Sequence, residues 1–310
     1  MKIAYLISAY SDPVHLNRLI GALYNEMSFF YIHVDKKSDI NRFEKIISEE
    51  YENVEFIKNR IFTQWGGWSQ VRYQQELLKA ATQSNNRYDR YFIISGMDYP
   101  VISNAAIQSE LAANPDKEYI IGLNITPIKT PKIRNKLVLY HFFRDLRTKN
   151  RTILRIFRGG SRLVMTVLPI RKKPYIEIDG KKLDVFMSSS YMCITDNLAK
   201  YIVDQMEKNI SIMHYFRYSF VPEELVIPTI VFNSAYACNA MLYSSNRYDG
   251  LITLAAIHQF EYRDSIKIYN ESDFDFLMEM KINNKKFFMR KAITGVSDKL
   301  LEMIDESRIA

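Results

Sequence analysis

The first ninety-five residues swing between short β-branched or aromatic runs and longer amphipathic stretches, and this alternation constrains the chain more than any other feature. Parallel strands joined by helical crossovers satisfy it. Ile3 to Ser8 reads as a first strand, and Pro13 to Leu23 as its helix, with Val14, Leu16, Leu19, Ile20 and Leu23 at helical spacing. Phe29 to Val34 is the second strand, ending at Asp35. Phe43 to Glu50 reads as a helix, Val54 to Ile57 as a strand, Ser69 to Thr82 as a longer helix capped by Ser69, and Tyr91 to Ser95 as another buried strand. Gly96-Met97-Asp98-Tyr99-Pro100 then reads as a loop, because Gly and Pro break both periodicities.

In open parallel sheets ligands bind outside the carboxyl ends of the strands, where loops set polar groups against a crevice. Three polar constellations fall there: Ser8 to Asp12, His33 to Lys37, and Ser95 to Asp98. Turns or caps would account for any one of them. Three in succession point to a nucleotide or sugar site.

The chain has 310 residues, 47% of them apolar, which is ample for a buried core; ten glycines and nine prolines leave little room for low-complexity linkers. No segment repeats, so disorder, collagen-like repetition and solenoids are excluded. Cys193 and Cys238 make at most one disulfide, which suits a reducing compartment, and each reads as a buried free thiol. The amino terminus has too short an apolar run for a signal peptide. The longest later apolar stretches, such as Leu163 to Ile170, fall far short of the roughly 20 residues a membrane span needs. A soluble or peripheral protein is expected.

Lys and Arg exceed Asp and Glu by seven, and the excess is concentrated. Residues 132–182 hold fifteen Lys or Arg against Asp145, Glu177 and Asp179, a net of +12, so the rest of the chain carries −5. Within this segment Ile153, Leu154, Ile156, Phe157, Val164, Val167 and Leu168 share space with Arg151, Arg155, Arg158 and Arg162. Such a pattern fits either a solvated helix face or a helix lying in a membrane interface. Gly159-Gly160 interrupts it, which weakens both helical readings. The chain therefore reads as one domain, 1–310, in which a half that carries the nucleotide or sugar site at its strand ends (1–125) and a second half (184–310) flank a basic insert (126–183).

Beyond the insert, Asp184 to Thr195 reads as a Ser-rich turn and strand, and Asp196 to Lys208 as a capped helix with Leu198, Tyr201, Ile202 and Met206 facing inward. Pro222-Glu223-Glu224 precedes Leu225 to Phe232 at a helix start, where capping alone would explain the carboxylates. Ser265 to Tyr269 reads as a strand, Phe274 to Met280 as a short helix, and Lys285 to Lys291 as a basic aromatic tail before a final helix ending near Ser307. Asp273-Phe274-Asp275 has the spacing of a metal-holding pair but sits at a helix entrance, so its carboxylates read as caps. His15, His141, His214 and His258 are scattered, and His33 reads as a packed histidine. No zinc site, phosphate loop or dinucleotide fingerprint is implied.

Six motifs now stand in order: Tyr31-Ile32-His33-Val34-Asp35-Lys36-Lys37-Ser38, Trp65-Gly66-Gly67-Trp68-Ser69, Ser95-Gly96-Met97-Asp98-Tyr99-Pro100, Ser188-Ser189-Ser190-Tyr191, Pro222-Glu223-Glu224 and Phe288-Met289-Arg290-Lys291. Over nearly its whole length the chain resembles the core-2/I-branching β-1,6-N-acetylglucosaminyltransferases, whose wider family includes peptide O-xylosyltransferases. The resemblance implies a glycosyltransferase-A-type fold, a Rossmann-like α/β mixed sheet flanked by helices. It also implies a UDP-sugar donor, inversion at the anomeric carbon, and no metal or other cofactor. On this resemblance Glu224 corresponds to the catalytic base that ends the family's Pro-Asp-Glu motif. Glu223 replaces the Asp and is both the rival base and an acceptor contact. Lys291 matches a phosphate-binding lysine, Arg290 beside it could share that role, and Arg263 or Lys267 would supply a second cation. Asp35 corresponds to a uridine or ribose contact, Ser8 and Ala9 lie near the same base pocket, Asp98 belongs to the donor-sugar loop, and Tyr191 lines the acceptor or donor side. Ser188 stands where the family usually has Gly and would narrow the sugar pocket. Trp65 and Trp68 would stack on uracil or sugar, or else belong to the core.

The chemistry asks for the same residue types. Displacement at a sugar C1 by an acceptor hydroxyl needs one carboxylate to take the hydroxyl proton. Charge developing on the departing UDP needs stabilisation, which fixed cations can supply where a metal does not. The reading is an inverting, metal-independent transferase that moves GlcNAc, or alternatively xylose, from a UDP-sugar to a hydroxyl on a glycan or lipid-linked saccharide. Eukaryotic members of the family are anchored, disulfide-bearing Golgi proteins, so a bacterial cytoplasmic enzyme of surface-polysaccharide synthesis is expected. Its basic insert would sit near anionic lipid at the inner face of the membrane, and it would have no nucleic acid partner. A rival class is a noncatalytic binder of anionic polymers through residues 132–182, for which strand-end carboxylates are unnecessary. A third is a sugar-nucleotide-binding protein without turnover.

Overall fold

The computed structural model describes residues 1–47, 51–148, 150–245, 247–284 and 286–309. In chain order the strands are β1 (Ile3–Ala9), β2 (Ser28–Val34), β3 (Val54–Phe56), β4 (Arg90–Ser95), β5 (Asp98–Pro100), β6 (Ile121–Asn124), β7 (Ile176–Ile178), β8 (Lys181–Leu183), β9 (Phe186–Met187), β10 (Met192–Thr195), β11 (Met241–Leu242), β12 (His258–Phe260) and β13 (Phe288–Arg290). The helices are α1 (Pro13–Leu23), α2 (Ile40–Ile46), α3 (Trp68–Thr82), α4 (Asn104–Ala113), α5 (Pro131–Val138), α6 (Arg151–Val167), α7 (Asp196–Lys208), α8 (Ile210–Phe216), α9 (Val226–Phe232), α10 (Phe274–Asn284) and α11 (Asp298–Ile309).

Five strands form the main sheet in the order β10-β4-β1-β2-β3, parallel except for β10, which runs antiparallel to β4. Strands covered on both faces must be apolar on both, which is why these segments read as continuous hydrophobic runs. Successive side chains of β1 divide accordingly. Ala4 and Leu6 join Val71, Leu77 and Leu78 of α3 and Leu198 and Ile202 of α7 on one side. Ile3, Tyr5 and Ile7 join Leu16, Leu19 and Ile20 of α1 and Ile107 and Leu111 of α4 on the other.

The strand order reverses between β1 and β4, and at such a point the connections leave in opposite directions and open a crevice at the carboxyl ends. Ser8 of β1 lies in register with His33 of β2 on one side and Ser95 of β4 on the other. A second sheet, β12-β13-β5, pairs β13 antiparallel with β5 and sets Arg290 opposite Asp98. Two smaller sheets, β11-β6-β9 and β7-β8, complete the set.

Several local expectations are corrected. Ser69 does not cap α3: the cap position is Gly67, which has no side chain to offer, and the Asp145 carboxylate accepts the N–H groups of Trp68 (2.8 Å) and Ser69 (2.9 Å) instead. Gly96 to Pro100 is not all loop, since Asp98–Pro100 is β5, an edge strand where a proline is tolerated. The basic aromatic tail contains β13, the central strand of its sheet. Ser265 to Tyr269 is not a strand: it makes an isolated bridge between Tyr262 and Ile266, and Lys267 N–H and Tyr269 N–H turn to Glu261 and Lys291 carbonyls. α6 runs unbroken through Gly159-Gly160, because Asn150 caps its first turn at Thr152 and Ile153 and Met165 anchors its far end. α2 begins earlier than Phe43, and residues 48–50, with Lys149 and Lys285, lie outside the described residues. Cys193 is buried as expected, whereas Cys238 is exposed on a surface turn.

Candidate active site

A cavity of about 520 Å³ opens where β1, β2 and β4 end. Its wall includes Ser8, Ala9, Asp35, Trp65, Ser95, Tyr191, Glu223, Glu224, Arg290 and Lys291, so residues from all six sequence motifs, together with the end of β1, meet in one place. Glu224 and Lys291 share it although 67 positions separate them in the chain. Asp98 does not line the cavity; it is fully buried behind Arg290.

At the β2 end, one Asp35 carboxylate oxygen accepts from the N–H groups of Lys37 (2.9 Å) and Thr63 (3.3 Å), while Lys37 Nζ approaches the other at 3.4 Å. His33 Nε2 accepts the Ile61 N–H at 2.9 Å, which requires that nitrogen to be unprotonated. Burial and the nearby Arg60 charge pull its pKa down to about 4, so this ring is neutral and packed.

The cationic side of the cavity rests on a buried network. Asp98 accepts from Arg290 (2.8 Å), His258 Nε2 (2.8 Å) and the Ser95 N–H (2.7 Å). Burial alone would raise its carboxyl, but His258, Arg290 and the Ser95 N–H outweigh burial and hold it below the ordinary value. Burial pulls His258 the other way, toward the neutral imidazole, despite Asp98. The Arg290 guanidinium lies 5.0 Å from the centre of the Tyr191 ring, fixed between that ring and Asp98. Lys291 is held more loosely, with Nζ 3.3 Å from the Tyr10 hydroxyl. The expected second cation is corrected: Arg263 pairs with Glu261, Lys267 pairs with Asp273, and neither lines the cavity, whereas Lys37 does.

Two glutamates line the same cavity. Val221 has φ 53°, a left-handed conformation that costs a β-branched residue about 1–2 kcal/mol, and Pro222 then opens a single 3₁₀ turn that carries both carboxylates to the cavity. Glu223 is only 3% exposed, and its Oε2 has no hydrogen-bond partner among the described residues. Burial, and then the Glu224 charge, raise its carboxyl well above the ordinary glutamate range, which favours the protonated form. Glu224 Oε2 instead meets Lys136 Nζ at 2.5 Å, both side chains being largely buried. Lys136 belongs to α5, inside the basic insert. It is hidden in sequence among fifteen basic residues; its position beside the inward-facing Ile133 and Leu137 is the one signal that could have singled it out.

Trp65 is 65% exposed at the mouth, edge-on to Phe220 at 5.5 Å, and is therefore not a core residue. Trp68 does not reach this cavity. It lines a separate groove of about 940 Å³ between α3, α7 and α8, walled by Arg60, Arg72, Arg144, Arg147 and Arg217. Ser188 does not narrow the cavity: it is buried, and its N–H holds the Glu224 carbonyl at 3.0 Å, while Ser190 takes the place on the wall. Asp273 closes a capping box with Asn270. Among the described residues no group of three or more His, Cys, Asp or Glu is placed to hold a metal ion, and no helix is long and apolar enough to cross a membrane.

The model of the core-2/I-branching enzyme family matches residues 3–250. The chain belongs to this family. Xylosyltransferase 2 of Homo sapiens is 25% identical over 313 residues, covering 98% of this chain and 33% of its own length. Xylosyltransferase oxt of Drosophila melanogaster is 24% identical over 243 residues, 76% of this chain and 25% of its own. This family member thus spans about a third or less of the length of these curated relatives. Among solved structures, the galactosyltransferase LgtC with donor and acceptor sugar analogs is 9% identical, covers 83% of each chain and gives a TM-score of 0.37. S. aureus TarS with UDP-GlcNAc is 11% identical, covers all of this chain and 72% of its own, and gives 0.36. In this family member a central mixed sheet carries helices on both faces.

Proposed function

We propose that this family member is an inverting, metal-independent glycosyltransferase that moves a sugar from a UDP-sugar to a hydroxyl on a glycan or lipid-linked saccharide. The observation that supports it most is the division between two adjacent carboxyls in a cavity shared with Lys291: Glu223 pushed toward its neutral form by burial, Glu224 beside Lys136. Neighbouring carboxyls in different surroundings take different roles. Glu224 takes the proton of the attacking hydroxyl as the bond from that oxygen to C1 forms. The bond from C1 to the UDP oxygen breaks on the opposite face, which inverts the anomeric carbon. Lys291 and Arg290, with Lys37 at the uridine end, receive the diphosphate charge. Asp98 holds Arg290 in position. Asp35, Ser8 and Ala9 contact the nucleoside, Trp65 stacks at the mouth, and Tyr191 and the protonated Glu223 face the sugars.

GlcNAc is the first donor to test. Xylose is the second reading, favoured because the relatives at about a quarter identity are named xylosyltransferases. The two free cysteines suit a reducing compartment and, with it, a cytoplasmic role in bacterial surface-polysaccharide synthesis. The test is UDP release by the purified protein across UDP-GlcNAc, UDP-xylose, UDP-galactose and UDP-glucose, with and without saccharide acceptors. Acceptor-dependent release with one preferred donor is expected. UDP binding with no turnover on a broad acceptor panel would replace the transferase with a sugar-nucleotide-binding protein.

A further inference from the structure

The insert carries a surface that glycosyl transfer does not use. α6 has 17 residues, about 25 Å of helix, yet Met165 is its one buried residue. Leu154, Arg158 and Ser161 share the Met165 strip and tie the helix down: Arg158 donates to the Arg144 carbonyl at 2.7 Å. On the other side Ile153, Ile156, Leu163, Val164 and Val167 face solvent, with Ile156 64%, Leu163 68% and Val167 77% exposed. Leu168 and Ile170 extend this face beyond the helix. An exposed apolar stripe rimmed by polar residues marks a surface that meets a membrane or another protein.

The charge around it identifies the cover. Residues 146–176 contain no Asp or Glu, and Arg151, Arg155 and Arg162 are exposed along the polar side of the same helix. A second copy of this chain would bring one acid-free arginine segment against another, because a two-fold contact pairs like with like. We propose that α6 docks the protein on an anionic lipid bilayer, its apolar face in the boundary between headgroups and acyl chains and its arginines drawn to lipid phosphates. The docking face adjoins the cavity mouth. Gln64, next to Trp65, donates to the Leu146 and Thr148 carbonyls of the loop that leads into α6, and Asp145 in that loop caps α3. The inference rests on this surface and not on the transferase reading.

The test is co-sedimentation of the full chain with vesicles of phosphatidylcholine alone or mixed with phosphatidylglycerol. Binding is expected with the anionic vesicles, little with the zwitterionic ones, and a decline as salt rises. Ile156→Ser/Leu163→Ser/Val167→Ser removes exposed methyl groups alone, so its thermal melt stays that of the parent while vesicle binding disappears. Arg151→Gln/Arg155→Gln/Arg162→Gln weakens binding roughly 100-fold, at about five-fold per arginine. Three results would each overturn the inference: no dependence on anionic lipid, a serine triple variant that still binds like the parent, or a lipid-free dimer that this variant converts to monomer.

Discussion

Glu223→Gln separates the two glutamates by stability as well as by activity. In the unfolded chain this carboxyl ionises near its ordinary value of 4.5; in the folded chain burial and Glu224 keep it protonated well above that. The folded state therefore holds a proton that the unfolded state has lost, and stability falls as pH rises through the window between the two values. The cost is about 1.4 kcal/mol for each pH unit crossed. Glutamine cannot titrate, so the variant gains on the parent by about 1.4 kcal/mol per unit from near pH 4.5 upward, until the folded carboxyl itself ionises and the difference levels off. The amide's altered hydrogen bonding adds a constant offset of about 1 kcal/mol, which moves the curve without changing its slope. Urea unfolding of both proteins at unit steps from pH 5 to pH 8 measures that slope. Transfer by the variant should stay within about ten-fold of the parent, the scale of one neutral hydrogen bond. A flat or falling difference, or a loss of transfer as deep as that of Glu224→Gln, would refute the neutral Glu223.

Lys291→Ala should weaken UDP binding about 10- to 100-fold by calorimetry, the worth of one charge-assisted contact to phosphate; unchanged affinity would move the diphosphate elsewhere. Asp98→Asn leaves Arg290 and His258 facing an uncharged amide and should destabilise the protein by about 3–5 kcal/mol near neutral pH. Because the folded Asp98 carboxyl lies below its ordinary value of 3.8, the stability it lends is present above that value and lost as pH falls through the folded one, so the two melting curves should converge in strong acid. EDTA should leave transfer unchanged. Activity abolished by EDTA and restored by manganese would contradict the role given to the lysines and Arg290.

The parallel sheet was legible because two-sided burial writes itself into the chain as apolar runs, and Ser8, His33 and Ser95 mark where those runs stop. The cavity was legible for the same reason, since strands in register deliver their ends to one row. What stayed hidden depends on partners far away in sequence. Ser69 looks like a cap, yet the cap is Asp145, 76 residues later. Glu224 gives no local sign of Lys136, 88 residues earlier. Phe288-Met289-Arg290 is too short to show alternation, and its central place in a sheet follows from β12 and β5 on either side. α6 survives Gly159-Gly160, a local cost of about 1 kcal/mol per glycine, through a cap and an anchor that periodicity does not see.

The most direct measurement compares turnover and UDP affinity in Glu224→Gln. On the proposed roles of Glu224 as base and Lys291 as diphosphate contact in one cavity, the variant should transfer roughly 100-fold more slowly or worse while binding UDP as the parent does. Transfer at the parent rate would mean that another group takes the acceptor proton and that Glu224 is no more than the partner of Lys136.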